Sequence, residues 1–297
     1  MGIKLVAYIR GGLGDIWPTV CALKSYTEKN KIKREEILIL SDSVCYTMDD
    51  RGYIQYTTDM LKKLSDNIII VPEEISGMSM VRPDMLKIRQ NYNEFMCGRK
   101  EELKVFVKEH IKEDVIFIDS PYTECILKWN EKEKRNEDIS EERKFINFDP
   151  PKEEKEKIDK MLENKHVLLH IRKRGSEEID FDINIFNDLA KRCKENDIYT
   201  IGIGINTSKL SFEGMGYLIT KSKVMFGIDS GFGIIKLYDQ NKNNKLIMFN
   251  PNPIAWKNMK LSNKKMYESI TTNIDDKNNI DNKNVDKIIS KIKEVYK

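Results

Sequence analysis

Three short stretches of the chain hold the residue types that could do chemistry. The first is Arg10-Gly11-Gly12-Leu13-Gly14-Asp15, between an apolar strand-like run over residues 3–9 and a helical pattern carrying Ile16, Val20 and Leu23. A glycine-rich strand-to-helix turn leaves backbone N–H groups unpaired at the positive end of a helix dipole. With no Cβ in the way, a phosphate or a sugar can approach the backbone there. The second stretch, His170-Ile171-Arg172-Lys173-Arg174-Gly175, puts three successive cations just past a strand-like run; a guanidinium fork and an ammonium point charge both suit a diphosphate. The third is Asp229-Ser230-Gly231-Phe232-Gly233, between an apolar run and a helical pattern. Its glycines make an anion-binding nest, Asp229 suits ribose hydroxyls and Ser230 a phosphate.

Each stretch also has a purely structural reading. Asp15 can serve as N-cap with Pro18 in the first helical turn, the cations as a solvated loop, and Asp229 or Ser230 as a helix cap. Two familiar nucleotide signatures are absent. A dinucleotide fingerprint counted from Gly12 and Gly14 needs a glycine at 17, where the chain has Trp17 and then Pro18, and no Gly-Lys-Ser/Thr follows to make a P-loop.

The elements that must position these turns alternate in type. Strand-like runs at residues 4–9, 37–40, 67–71 and 115–119 are interleaved with helical patterns at 16–30, 54–64, 83–96 and 100–111. A charge-dense stretch, 131–144, reads as a solvated helix or loop and leads to Phe148-Asp149-Pro150-Pro151, a domain boundary. Beyond it come a charged helix at 152–164, strands at 166–171, 199–205, 224–228 and 245–249, and helices at 181–193 and 234–238. A polar connection over 271–284 leads to a closing helix striped with Val285, Ile288, Ile289, Ile292 and Val295. The pattern predicts an α/β protein of two Rossmann-like domains, residues 1–150 and 151–297, whose parallel sheets face a cleft and are closed by a C-terminal helix.

Composition narrows the function classes. The 297 residues suit two ordinary domains, and 40% hydrophobic content with 33% charged content is compatible with folded cores. With 51 basic and 48 acidic residues there is no strong field for nucleic acid or membrane, although a nucleic-acid base stays among the acceptors left open. Five single cysteines without CxxC spacing, no signal-peptide pattern and no apolar run of about 20 residues predict a cytoplasmic protein without a membrane span. No cluster has metal-ligand spacing, so no metal is expected. Asp180-Phe181-Asp182, just before a helix, reads as a cap rather than a metal ligand pair.

Taken together, the three turns resemble those of the two-domain GT-B glycosyltransferases, most closely the heptosyltransferase family (family nine). That family has an N-terminal glycine-rich turn ending in Asp, as in Arg10 to Asp15, and a C-terminal D-S-G turn before a helix, as in Asp229-Ser230-Gly231. Here Ile234-Ile235-Lys236 stands where the family continues His-Leu-Ala. The stretch from His170 to Gly175 is similar to the H-x-R-R-x-D motif of GDP-fucose transferases, with Gly175 and Ser176 in place of its acid. The resemblance implies a metal-independent hexosyl, heptosyl or fucosyl transferase with no cofactor beyond its co-substrate, a nucleoside-diphosphate sugar of the ADP or GDP type. It implies Asp15 as general base on the acceptor hydroxyl. Residues Arg10, Gly11, Gly12, Leu13 and Gly14 would lie on the acceptor side, and His170, Arg172, Lys173, Arg174 and the 229–233 turn on the donor side. Two alternatives remain: a dehydrogenase or methyltransferase built on the N-terminal turn, with Asp42 holding a ribose, and an inactive sugar-binding relative.

Overall fold

The computed structural model describes residues 2–9, 13–42, 53–71, 115–122, 125–130, 135–138, 145–170, 183–203, 207, 209–228, 231–237, 243–249, 267–270 and 282–296. The chain divides into two compact units, Met1–Lys144 and Phe145–Lys297.

In the first unit, β1 (Leu5–Ile9), α1 (Leu13–Lys29), β2 (Ile37–Asp42), α2 (Tyr53–Lys62), β3 (Ile68–Val71) and β4 (Ile116–Tyr122) are followed by β5 (Cys125–Asn130) and β6 (Arg135–Asp138). The strands form one sheet in the order β3-β2-β1-β4-β5-β6, parallel from β3 to β4 and antiparallel across β5 and β6. Every residue of β1 is buried, as an all-apolar run must be when both faces of a parallel sheet are covered. Helix α1 goes beyond the single apolar face that its periodicity suggests. All eight residues from Ile16 to Leu23 are buried, Trp17, Pro18 and Thr19 included, so this helix lies inside the unit.

The second unit runs α3 (Lys152–Met161), β7 (His166–His170), α4 (Ile183–Lys194), β8 (Tyr199–Gly202), α5 (Phe212–Lys221), β9 (Val224–Ile228), α6 (Gly231–Leu237), β10 (Lys245–Phe249), β11 (Tyr267–Ile270) and α7 (Asn282–Val295). Its five strands are all parallel, in the order β11-β10-β9-β7-β8. The core joins Val167 and Leu169 of β7, Leu189 of α4, Phe226 of β9 and Ile247 of β10 to Val285, Ile288 and Ile292 of α7. Just past α7, the Tyr296 hydroxyl accepts from His166 N–H at 2.8 Å and donates to the carbonyl of the same residue, which pins the chain end to the start of β7.

Besides β5, which lies between the expected strand at 115–119 and the charge-dense stretch and pairs antiparallel with β4, three elements depart from the sequence expectation. The charge-dense 131–144 stretch contains β6, a strand. Its Arg-Asn-Glu-Asp has no apolar alternation to announce it and forms by pairing with β5 at the sheet edge, where charge is tolerated. Helix α5, absent from the expectation, carries Gly214 and Gly216, residue types that weaken a helical pattern. Both glycines serve close packing instead: a Cβ at Gly216 would stand 2.1 Å from the Phe148 ring, and one at Gly214 2.4 Å from the Glu154 carboxyl carbon. The third is β11, whose four residues Tyr-Glu-Ser-Ile complete the sheet beside β10.

Candidate functional site

Open parallel sheets bind ligands beyond the carboxyl ends of their strands, at the point where strand order reverses. In the second sheet the chain goes from β7 outward to β8 and then returns to β9 on the other side of β7, so the reversal lies between β7 and β9. The chain leaves β7 after His170 into residues 171–175, and leaves β9 after Ile228 into Asp229 and Ser230 before α6 begins at Gly231. Residues far apart in sequence thus start from neighbouring strand ends, with His170 in register with Gly227. Arg172, Lys173, Arg174, Asp229, Ser230, Asp180 and Asp182 lie outside the described residues.

What holds these two strand ends together is visible. His170 is buried, and its ring meets Phe232 of α6 edge to face, with centroids 5.2 Å apart at 87°. Burial pushes the His170 pKa down to about 4, so the imidazole is neutral near pH 7. The backbones are equally close: a Cβ at Gly227 would lie 2.8 Å from the His170 carbonyl oxygen, which is why only glycine fits there. Phe232 and Gly233 are buried and Gly231 is half-buried.

Lys236 is the residue whose part the sequence did not disclose. It is fully buried on α6, and its Nζ donates to the carbonyls of Ile219 at 2.9 Å and Ser222 at 2.5 Å, at the C-terminal end of α5. A cation satisfies the unpaired carbonyls and the negative dipole of that helix end. Beside it, Asn244 Nδ2 donates to Thr220 O at 3.0 Å. The short helix that opens with Gly231 is therefore fastened to its neighbour by a side chain. The available signal was a lysine inside the otherwise apolar Gly-Phe-Gly-Ile-Ile-Lys-Leu run.

In the first sheet the order β3-β2-β1-β4 places the reversal between β1 and β4. The chain leaves β1 after Ile9; Arg10, Gly11 and Gly12 lie outside the described residues, and α1 begins at Leu13, with Gly14 half-buried. Asp15 is the third residue of the helix and not its N-cap, a correction to the capping reading. In the first turn its backbone N–H has no partner within the helix, and an acidic residue is favourable beside the positive end. Pro18 sits in the second turn, where it removes the hydrogen bond to the Gly14 carbonyl. Asp42 is the last residue of β2, and β4 continues past the expected end at Asp119, with Ser120 opposite Ile9. The Ser-Pro pair concealed this extension, since proline is unexpected inside a strand.

Among the described residues, no group of three or more His, Cys, Asp or Glu could hold a metal ion, and no helix is long and apolar enough to cross a membrane. No known family model matches the sequence, and no curated protein does. Solved structures do match. The glycosyl transferase family 9 structure from Veillonella parvula aligns at 10% identity over 100% of this chain and 96% of its own, with a TM-score of 0.50. The Escherichia coli ADP-heptose LPS heptosyltransferase II aligns at 9% identity over 99% and 98%, with a TM-score of 0.53. The protein therefore has the two-unit α/β fold, GT-B, seen in family nine glycosyltransferases.

Proposed function

We propose that the protein is a cytoplasmic glycosyltransferase that moves a sugar from a nucleoside diphosphate of the ADP or GDP type to a hydroxyl acceptor, without a metal ion. The observation that supports this reading is the strand order. In each sheet the strand that feeds a candidate turn borders the point of reversal, β1 before the Arg10 turn, β7 before the cations and β9 before Asp229. The fold shared with two glycosyltransferases, one of them an ADP-heptose enzyme by name, supports it independently.

In this reading the acceptor oxygen attacks the anomeric carbon as the bond from that carbon to the diphosphate oxygen breaks. Asp15 takes the acceptor's proton. Arg172 and Lys173, with the backbone N–H groups of residues 231–233, meet the charge that grows on the departing diphosphate. The glycines from Gly11 to Gly14 admit the acceptor close to the backbone. A nucleotide-cofactor enzyme built on the N-terminal turn is the weaker reading, because position 17, glycine in a dinucleotide site, holds a buried tryptophan.

Calorimetric titration with ADP, GDP and UDP tests the proposal. One of them should bind, and Arg172→Ala should weaken it by about 1.5–3 kcal/mol, the worth of a hydrogen bond to a charged group. Arg172→Lys should recover only part, since a point charge cannot reproduce the fork. Absence of binding by all three nucleotides overturns the donor assignment.

A further inference from the structure

The two carbonyls that Lys236 holds lie just before β9 in the chain, and Lys236 itself lies just after it. Its Nζ donates to Ile219 O at 2.9 Å and to Ser222 O at 2.5 Å, the latter 14 positions earlier. Ser222 is the C-cap of α5, and its Oγ donates to the carbonyl of Val224, the first residue of β9, at 2.8 Å. The stretch from Ser222 through β9, Asp229 and Ser230 to α6 is thus a frame closed by one ammonium. Phe232, near the start of α6, is held too, edge to face against the imidazole of His170. Lys236 stands at the alanine position of the family's His-Leu-Ala run, so this closure belongs to the chain's own sequence.

Stability alone does not call for a lysine here. The Asn244 amide, donating to Thr220 O at 3.0 Å, shows that a neutral side chain can serve the same helix end. A buried ammonium gives up its hydration, a cost that an amide or an apolar side chain largely avoids. What the charge adds is stiffness. Every residue of α6 from Phe232 to Leu237 is buried, so drawing α6 away from α5 would leave a cation without its carbonyls in an apolar surround. The separation of Ile228 from Gly231, which Asp229 and Ser230 must span, is therefore held by Lys236. We propose that Lys236 is a positioning residue for nucleotide binding. It acts without touching the ligand, by keeping the end of β9 and the start of α6 at the spacing in which residues 229–231 receive the donor. Resting on the transferase reading, this role adds a determinant of donor affinity that lies outside the site itself.

The test compares wild type with Lys236→Met, which keeps bulk and removes every donor, and with Lys236→Gln, which keeps a neutral pair of donors. Ile288→Ala, in the core of the same unit, is destabilised without losing a bond of the frame. Hydrogen exchange of the ligand-free protein should find the amides of residues 232–237 opening about tenfold faster in Lys236→Met, with Lys236→Gln between it and wild type. Calorimetric titration with ADP, GDP and UDP should find the wild-type affinity reduced about tenfold in Lys236→Met, as when the competent arrangement falls to a tenth of its population, and reduced less in Lys236→Gln. Ile288→Ala, kept at a temperature where it is folded, should bind as wild type does. Unchanged exchange or unchanged affinity in Lys236→Met, or an equal loss of affinity in Ile288→Ala, overturns the positioning role. If Lys236→Met does not fold, Lys236→Gln carries the comparison, and wild-type affinity in it overturns the role equally. A wild type that binds none of the three nucleotides sinks the donor assignment and this role with it, whereas a wild type that binds no better than Lys236→Met sinks Lys236 alone.

Discussion

Asp15, in the first turn of α1, and His170, the last residue of β7, are titratable residues that answer to different measurements. Asp15 occupies the third position of α1, where its carboxyl is not required as the N-cap. Asp15→Asn preserves size and backbone, so if the carboxylate is the general base the variant should fold normally, bind nucleotide normally and lose turnover by at least about 100-fold. Near-wild-type turnover in a steady-state assay would end that assignment. His170 answers to a different measurement. Its folded pKa of about 4 lies below the 6.5 of an unperturbed imidazole, because burial disfavours the charged form. Between those two values the unfolded chain takes up a proton that the folded chain refuses. Stability is therefore lost as pH falls from 6.5 toward 4, by up to about 3 kcal/mol for this residue. Burial moves His166 in the same direction. His170→Phe, which keeps an aromatic ring against Phe232, should flatten the fall in urea-derived stability between pH 7 and pH 4.5. An unchanged slope would show that His170 does not carry it.

At the scale of elements, apolar runs were legible and pairings were not. Residues 224–228 and 245–249 are strands with the ends that their sequences predict, because runs of five (224–228) or four (246–249) apolar or small residues beside polar ones fit little else. β6 and β11 are four residues each and owe their conformation to a neighbouring strand, so no local pattern reveals them. The glycines illustrate the same limit. Gly227 looks like a weak point in a strand, yet it is what lets β9 lie against the backbone of β7 at His170. Gly227→Ala must push the His170 carbonyl away and should cost about 1–3 kcal/mol, the usual penalty for overpacking, measured by thermal or urea unfolding. The same variant should weaken nucleotide binding, since it moves the two strand ends from which the candidate donor turns start. Loss of stability without any change in affinity would detach this register from the site.

For the molecule as a whole, each unit has its own sheet, and the C-terminal helix belongs to the core of the second. Ile288 of α7 is fully buried among residues from β7, α4, β9 and β10, more than 90 positions earlier for the first two of these elements. Ile288→Ala should destabilise the unit by about 2–5 kcal/mol, the range for emptying an isoleucine site in a core, visible as a lowered calorimetric transition. A cost below 1 kcal/mol would mean that the helix merely lies on the surface.

By itself the sequence determined the α/β class, the alternation of strands with helices and the three glycine- or cation-bearing turns. These are local properties, written in hydrophobic period and in residues whose backbone freedom or charge is their own. It also exposed the absence of a complete dinucleotide fingerprint, since that depends only on spacing. Strand order was decided by the tertiary structure alone, because it is a matter of which distant segments pair. Strand order in turn sets β7 beside β9 and β1 beside β4, and so determines which turns share an edge. The use of Lys236 was likewise settled only by folding. A buried ammonium is tolerable where carbonyls at a helix end receive it, and only the fold brings the end of α5 to Lys236.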